Sequence, residues 1–202
     1  MKNIFKLFVV LLMLNGCVGI AVTTSDLTEK TTGTIRNIEQ IRGDKALSKA
    51  IKKQLKQDIK MFAEINNMRI IGDYKITSFE NRVLITGTVS DIRLKNFIYN
   101  KIWEFDGIKE VINELNVSLN DNSNWLTDYF LSKSIKNRFL ITNGIRSVNY
   151  EVVVKNNKAY VLGISYSQEE IKKVGYITAT TKGIRDSVIH VITKNDTRRD
   201  EI

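Results

Sequence analysis

The clearest chemistry in the chain belongs to Cys17, its one cysteine. A lone thiol has no partner for an internal disulfide. With His190 as the one histidine, there is no cysteine and histidine set to hold a metal. Cys17 closes the stretch Leu14-Asn15-Gly16-Cys17, behind Lys2, Lys6 and the apolar run Leu7–Leu14. A basic start, a short apolar core and a small residue before the cut make a secretory signal peptide. The run is too short to span a bilayer, which takes about 20 apolar residues.

A cut after a small residue and directly before cysteine has the form of the bacterial lipobox, Leu-x-Gly-Cys. There the thiol receives diacylglycerol and the chain is cleaved ahead of it. Residues 1–16 are therefore expected to leave as a lipoprotein signal peptide, with Cys17 as the lipidation site. Residues 17–43, rich in Thr, are expected to form a lipidated tether. Two or three acyl chains on one cysteine bind a membrane almost permanently, where one binds only reversibly. Val18 stands where an aspartate would retain a lipoprotein at the inner membrane. The expected location is the periplasmic face of the outer membrane.

No catalytic set emerges. One histidine without geometry makes no Ser-His-Asp arrangement, the glycines are too sparse for a phosphate loop, and the carboxylates are scattered. The expectation is no enzyme, no cofactor and no metal. The formal charge is +9, or +7 once Lys2 and Lys6 leave with the signal. An exported, lipidated chain has no nucleic acid to meet, so an anionic membrane is one reading of that charge. A lysine-rich composition throughout is the other.

Two segments are candidates for contact. Lys45, Lys49, Lys52, Lys53, Lys56 and Lys60 share a helix whose other side carries Leu47, Ile51, Leu55, Ile59 and Phe62. That lysine side meets headgroups or is simply solvated. In the segment opened by Trp125, apolar Trp125, Tyr129, Phe130, Leu131, Phe139 and Leu140 wrap more than one face. Trp125, Tyr129 and Phe130 suit a membrane interface, and Lys133, Lys136 and Arg138 suit phosphates. Core packing of an unusually apolar helix is the competing account.

The elements that would position these residues form one pattern written twice. Asp44 reads as the cap of the first helix. Two strand segments follow, Tyr74–Phe79 and Arg82–Thr88, around a Glu80-Asn81 turn. A helix from Ser90 carries Leu94, Phe97, Ile98, Ile102 and Phe105, Gly107 stops it, and Ile108–Val117 is a last strand with Val111, Leu115 and Val117 in phase. After the polar 119–124 linker come a helix over Trp125–Phe139 and a hairpin of Tyr150–Val154 and Lys158–Gly163 around Asn156-Asn157. A helix opened by Ser167 and Glu170 and a strand over Ile184–Ile192 complete it. Tyr74 and Tyr150, Gly87 and Gly163, Gly107 and Gly183 share one offset of 76. The expected fold is α+β: each copy is a two-layer helix-strand-strand-helix-strand unit, two helices on a three-stranded mixed sheet. The polar linker implies a separate core for each copy.

Val83-Leu84-Ile85-Thr86-Gly87-Thr88-Val89, a helix, then Gly107-Ile108-Lys109-Glu110-Val111-Ile112-Asn113-Glu114-Leu115 resembles the BON domain signature. The second copy is similar more loosely: Val161-Leu162-Gly163 and Gly183-Ile184 match, while Ser187 and Ile189 depart from the pattern. Asn124-Trp125-Leu126-Thr127 resembles the opening of the second domain in dual-BON outer-membrane lipoproteins. The resemblance implies BON domains at 44–118 and 125–194, ahead of a polar tail at 195–202. It implies a non-enzymatic envelope-integrity module that binds anionic phospholipid, with Trp125, Tyr129, Phe130, Lys133 and Lys136 as the lipid-binding set. The alternative is a periplasmic adaptor that binds an outer-membrane assembly protein.

Overall fold

The computed structural model describes residues 38–70, 72–119 and 124–199. Cys17, the signal peptide and most of the tether lie outside the described residues. The first unit is α1 (Ile38–Ile65), β1 (Tyr74–Phe79), β2 (Arg82–Val89), α2 (Ile92–Trp103) and β3 (Glu110–Val117). The second is α3 (Trp125–Ile141), β4 (Tyr150–Lys155), β5 (Lys158–Ser165), α4 (Gln168–Ala179) and β6 (Asp186–Thr193).

Each unit carries a three-stranded mixed sheet with its central strand second in sequence. β1 and β2 are antiparallel, with Tyr74 opposite Gly87; β2 and β3 are parallel, with Val83 opposite Val111. The second sheet repeats this, with Tyr150 opposite Gly163 and Gly163 opposite Val191. A helix must carry the chain back between parallel strands, and α2 and α4 do so.

The hairpins are two-residue turns with both central residues left-handed: Glu80 and Asn81 at φ 49° and 61°, Asn156 and Asn157 at 54° and 63°. Such turns match the strand twist, and Asn tolerates positive φ. Asp44 serves this turn rather than a helix end. α1 starts at Ile38, so residues 38–43 belong to the helix and not to the tether, and Asp44 is buried within it. Its carboxylate accepts from Ser78 Oγ at 3.0 Å, Glu80 N at 3.0 Å and Asn81 N at 3.3 Å. Asp128 of α3 does the same for Asn156 N and Asn157 N, at 3.0 and 3.2 Å. The α2 cap is Asp91, accepting from Arg93 N; Ser90 instead donates to the Arg69 carbonyl. Val117 keeps the phase of buried Val111 and Leu115 but, as the last residue of β3, is exposed.

Two cores lie between helices and sheets. In the first, Ile51, Leu55 and Ile59 of α1 and Leu94, Ile98 and Ile102 of α2 cover Ile76, Val83, Ile85 and Leu115. In the second, Ile135, Phe139, Val174 and Ile177 cover Val152, Val154 and Val161. A third core was not expected from the linker. Phe79 and Leu84 of the first sheet pack against Val153, Tyr160, Leu162, Ile164 and Ile192 of the second. The two sheets stack by the faces turned away from their helices, giving four layers: helices, sheet, sheet, helices. Strand alternation explains it, since β2 carries apolar residues in both phases and is buried at all eight positions.

Arg82 is the polar pin of that interface, 1% exposed. Its guanidinium pairs with Glu110 at 2.5 Å and donates to the His190 carbonyl at 3.2 Å. A charge this buried must be paired and bonded. The stretch expected as a polar tail is part of the same contact. Thr197–Arg199 forms a 3-10 turn, Arg199 bonds Glu80 at 3.0 and 3.2 Å, and Lys109 donates to the Arg199 carbonyl.

Candidate functional site

α3 is held at its start by two devices. Asn124 caps it, accepting from Thr127 N at 3.2 Å. Asp128 ties its first turn to the β4–β5 turn. Only Asp128, Ile135 and Phe139 of the helix are buried. The first two turns therefore overhang their sheet, and what they carry is turned outward: Trp125 is 72% exposed, Phe130 61% and Tyr129 51%, with Leu126 beside them. Isolated exposed apolar residues are ordinary, but four within six residues form a patch. Tyr129 and Phe130 meet edge to face, centroids 5.6 Å apart.

The cations expected beside them are placed unequally. Lys133 is exposed and lies over the Tyr129 ring, 5.5 Å from its centroid. Lys136 is half-buried and paired with Glu151 at 2.8 Å. Arg138 is turned inward, donating to the Ile177 carbonyl and to Thr181 Oγ1, both at 2.7 Å, so it joins α3 to α4. The lysines of α1 are exposed around the helix side away from Ile51 and Leu55.

One residue beside this patch, Lys75, has no counterpart in the sequence reading. Lys75 of β1, with Lys45 of the α1 lysine face, lines the cleft that Lys133, Lys136 and Tyr129 line from the second unit. Lys75 points away from its own helices, and only the stacking of the sheets brings it to α3. The apolar residues in both phases of β2 were the available signal that this face is covered.

His190 is a structural contact between the units: its Nε2 lies 3.0 Å from Glu114 Oε1. Among the described residues, no group of histidine, cysteine and carboxylate side chains could hold a metal ion, and no helix is long and apolar enough to cross a membrane.

The layered α+β units, with their helix-spanned parallel strands and glycine-bearing central strands, define the class. The BON domain family matches residues 43–118. Over 145 residues, 70% of this chain, it is 32% identical to an uncharacterized protein in the gshII 5′ region of Anaplasma centrale and spans 95% of that relative. Over 186 residues it is 21% identical to the outer membrane lipoprotein DolP of Haemophilus influenzae, covering 92% of each chain. The chain belongs to the BON-domain family, as a DolP-like member. It is also similar, at 15% identity and a TM-score of 0.29, to CdsD, a structural protein of the type III secretion system of Chlamydia trachomatis, about half of whose solved chain it spans.

Proposed function

We propose that the protein is a lipid-anchored tandem-BON protein of the outer membrane's periplasmic face, binding anionic phospholipid through the start of α3 and supporting envelope integrity. Residues 44–118 and 125–194 are its two BON domains. The second matches the first in element order, strand register, left-handed hairpin turn and the aspartate that holds it. Cys17 carries the anchor. The observation behind the lipid reading is the exposure of Trp125, Tyr129 and Phe130 on a helix turn beside Lys133. Aromatic rings with polar tips sit well at headgroup depth, and lysines there gain about 1 kcal/mol each at an anionic surface. The relative DolP is named an outer membrane lipoprotein, which agrees with this reading.

The test is flotation of the 18–202 chain, which keeps every described element, with phosphatidylglycerol or phosphatidylcholine vesicles. Binding is expected to the first, and Trp125→Ala should weaken it while leaving the melting temperature nearly unchanged. A core tryptophan would cost about 3–5 kcal/mol of stability on truncation. If Trp125→Ala unfolds the protein, or floats like the parent, the site is wrong. An adaptor for an outer-membrane assembly partner would leave protein-free vesicles unbound.

A further inference from the structure

The cleft between the two units has a volume of about 350 Å³. Lys45 and Lys75 line it from the first unit, Lys133 and Lys136 from the second. Its carboxylates are Asp44 and Glu151. Asp44 is occupied by the β1–β2 turn, and Glu151 takes Lys136 at 2.8 Å. Among the described residues, Lys45, Lys75 and Lys133 have no carboxylate of their own. The Lys75 ammonium is held below its ordinary value, first by desolvation in the cleft, then by the charge of Lys136, with Lys52 adding to it against Glu151 and Asp73. Desolvation first and the neighbouring Lys136 second thus weigh on the Lys75 charge, which an entering anion relieves.

An adjoining recess of about 220 Å³ shares Lys75, Tyr129 and Ser132 with the cleft and reaches Trp125. The basic cleft and the aromatic patch are thus continuous, charge on one side and apolar rings on the other. The space suits a group larger than an inorganic ion, and lysines bind phosphate as mobile point charges.

We propose that the cleft between the two units is a phosphate-ester site, in which Lys45 and Lys75 of the first unit and Lys133 and Lys136 of the second hold the phosphodiester of a lipid headgroup. The source of that phosphate rests on the lipid reading above; a soluble phosphate ester has the same chemistry. Each unit supplies half of the site, so recognition requires the two sheets to be stacked.

The experiment compares the 18–202 chain with Lys45→Gln/Lys75→Gln and with the charge-matched control Lys172→Gln/Lys182→Gln. Each is titrated with phosphatidylglycerol vesicles and, by NMR, with glycerol 3-phosphate. The cleft pair should lose about thirtyfold in vesicle affinity, from about 1 kcal/mol per lysine, and the control far less. Lys133→Gln should weaken binding from the opposite wall. Glycerol 3-phosphate should move the amides of Lys75, Ser132 and Glu151 in the parent and not in the cleft pair. If the parent floats and the cleft pair floats equally well, or loses no more than the control, the cleft is overturned while the lipid reading stands. If no vesicle binding occurs but glycerol 3-phosphate moves those amides, the phosphate site stands, its source is soluble, and the lipid reading falls. If neither ligand binds, both fall. Unchanged melting temperatures exclude misfolding as the cause.

Discussion

At the scale of single residues, Asp44 shows how a legible signal can be assigned to the wrong structure. An aspartate at the head of an apolar-periodic run reads as a helix cap. Here the helix passes through it, and the carboxylate reaches across to the β1–β2 turn, whose backbone N–H groups have no other acceptor within the hairpin. Sequence reasoning sees only neighbours along the chain; Glu80 lies 36 residues away. The turn itself was readable, because Asn156-Asn157 belongs in left-handed positions. Asp44→Ala should destabilise the protein by about 3 kcal/mol, since it removes charge-assisted hydrogen bonds and strands buried donors. Urea denaturation measures it, and a loss below about 0.5 kcal/mol would show that the turn closes without the aspartate. Trp125 was the opposite case: its type suggested either an interface or a core, and only the overhang of α3 decides that it is exposed.

At the scale of elements, strands and helices were legible within a few residues because their periods differ so plainly. The ends were less so. The run before Asp44 has no sustained apolar period, yet α1 extends through it to Ile38. Gly43 and Gly87 show why one residue type does opposite things in two elements. Gly43 sits in exposed helix with nothing within 4 Å of a Cβ built there. Gly87 sits in β2 at φ +127°, where a Cβ would lie 2.0 Å from the Asp73 carbonyl oxygen. Gly43→Ala should therefore stabilise the protein by about 0.5–1 kcal/mol, whereas Gly87→Ala should part β1 from β2 and lower the melting temperature sharply. Thermal melts of the two variants check this; equal shifts would mean that backbone approach does not limit the sheet.

At the scale of the whole molecule, the polar linker suggested two independent bodies, and the structure stacks them. The signal was present in Val83-Leu84-Ile85 and Tyr160-Val161-Leu162, where consecutive apolar residues leave a sheet no polar face. The helices of each copy cover only one of the two faces, so the second apolar face is left for the other sheet. The interface also carries a titratable contact. Burial lowers the His190 imidazole below its ordinary value, only partly opposed by Glu114. Its neutral form is thus the one that fits the stacked sheets. The unfolded chain takes up a proton near pH 6.5, the folded one only at lower pH, so stability is full above that value and falls as the solution is acidified. Melting temperatures measured from pH 7.5 to 5 should decline, and His190→Gln should flatten that decline. An unchanged slope in the variant would assign the effect to other groups.

The stacked sheets also set a clock. Arg82 closes on the carbonyl of His190, 108 residues further along the chain. At roughly 5 to 20 residues per second of synthesis, that interval is about 5 to 20 s. For that time Phe79 and Leu84 have no second sheet to meet, and the nascent first unit offers a bare apolar surface to whatever else is near. Until its other half arrives, that surface can be covered only by something other than its own second sheet.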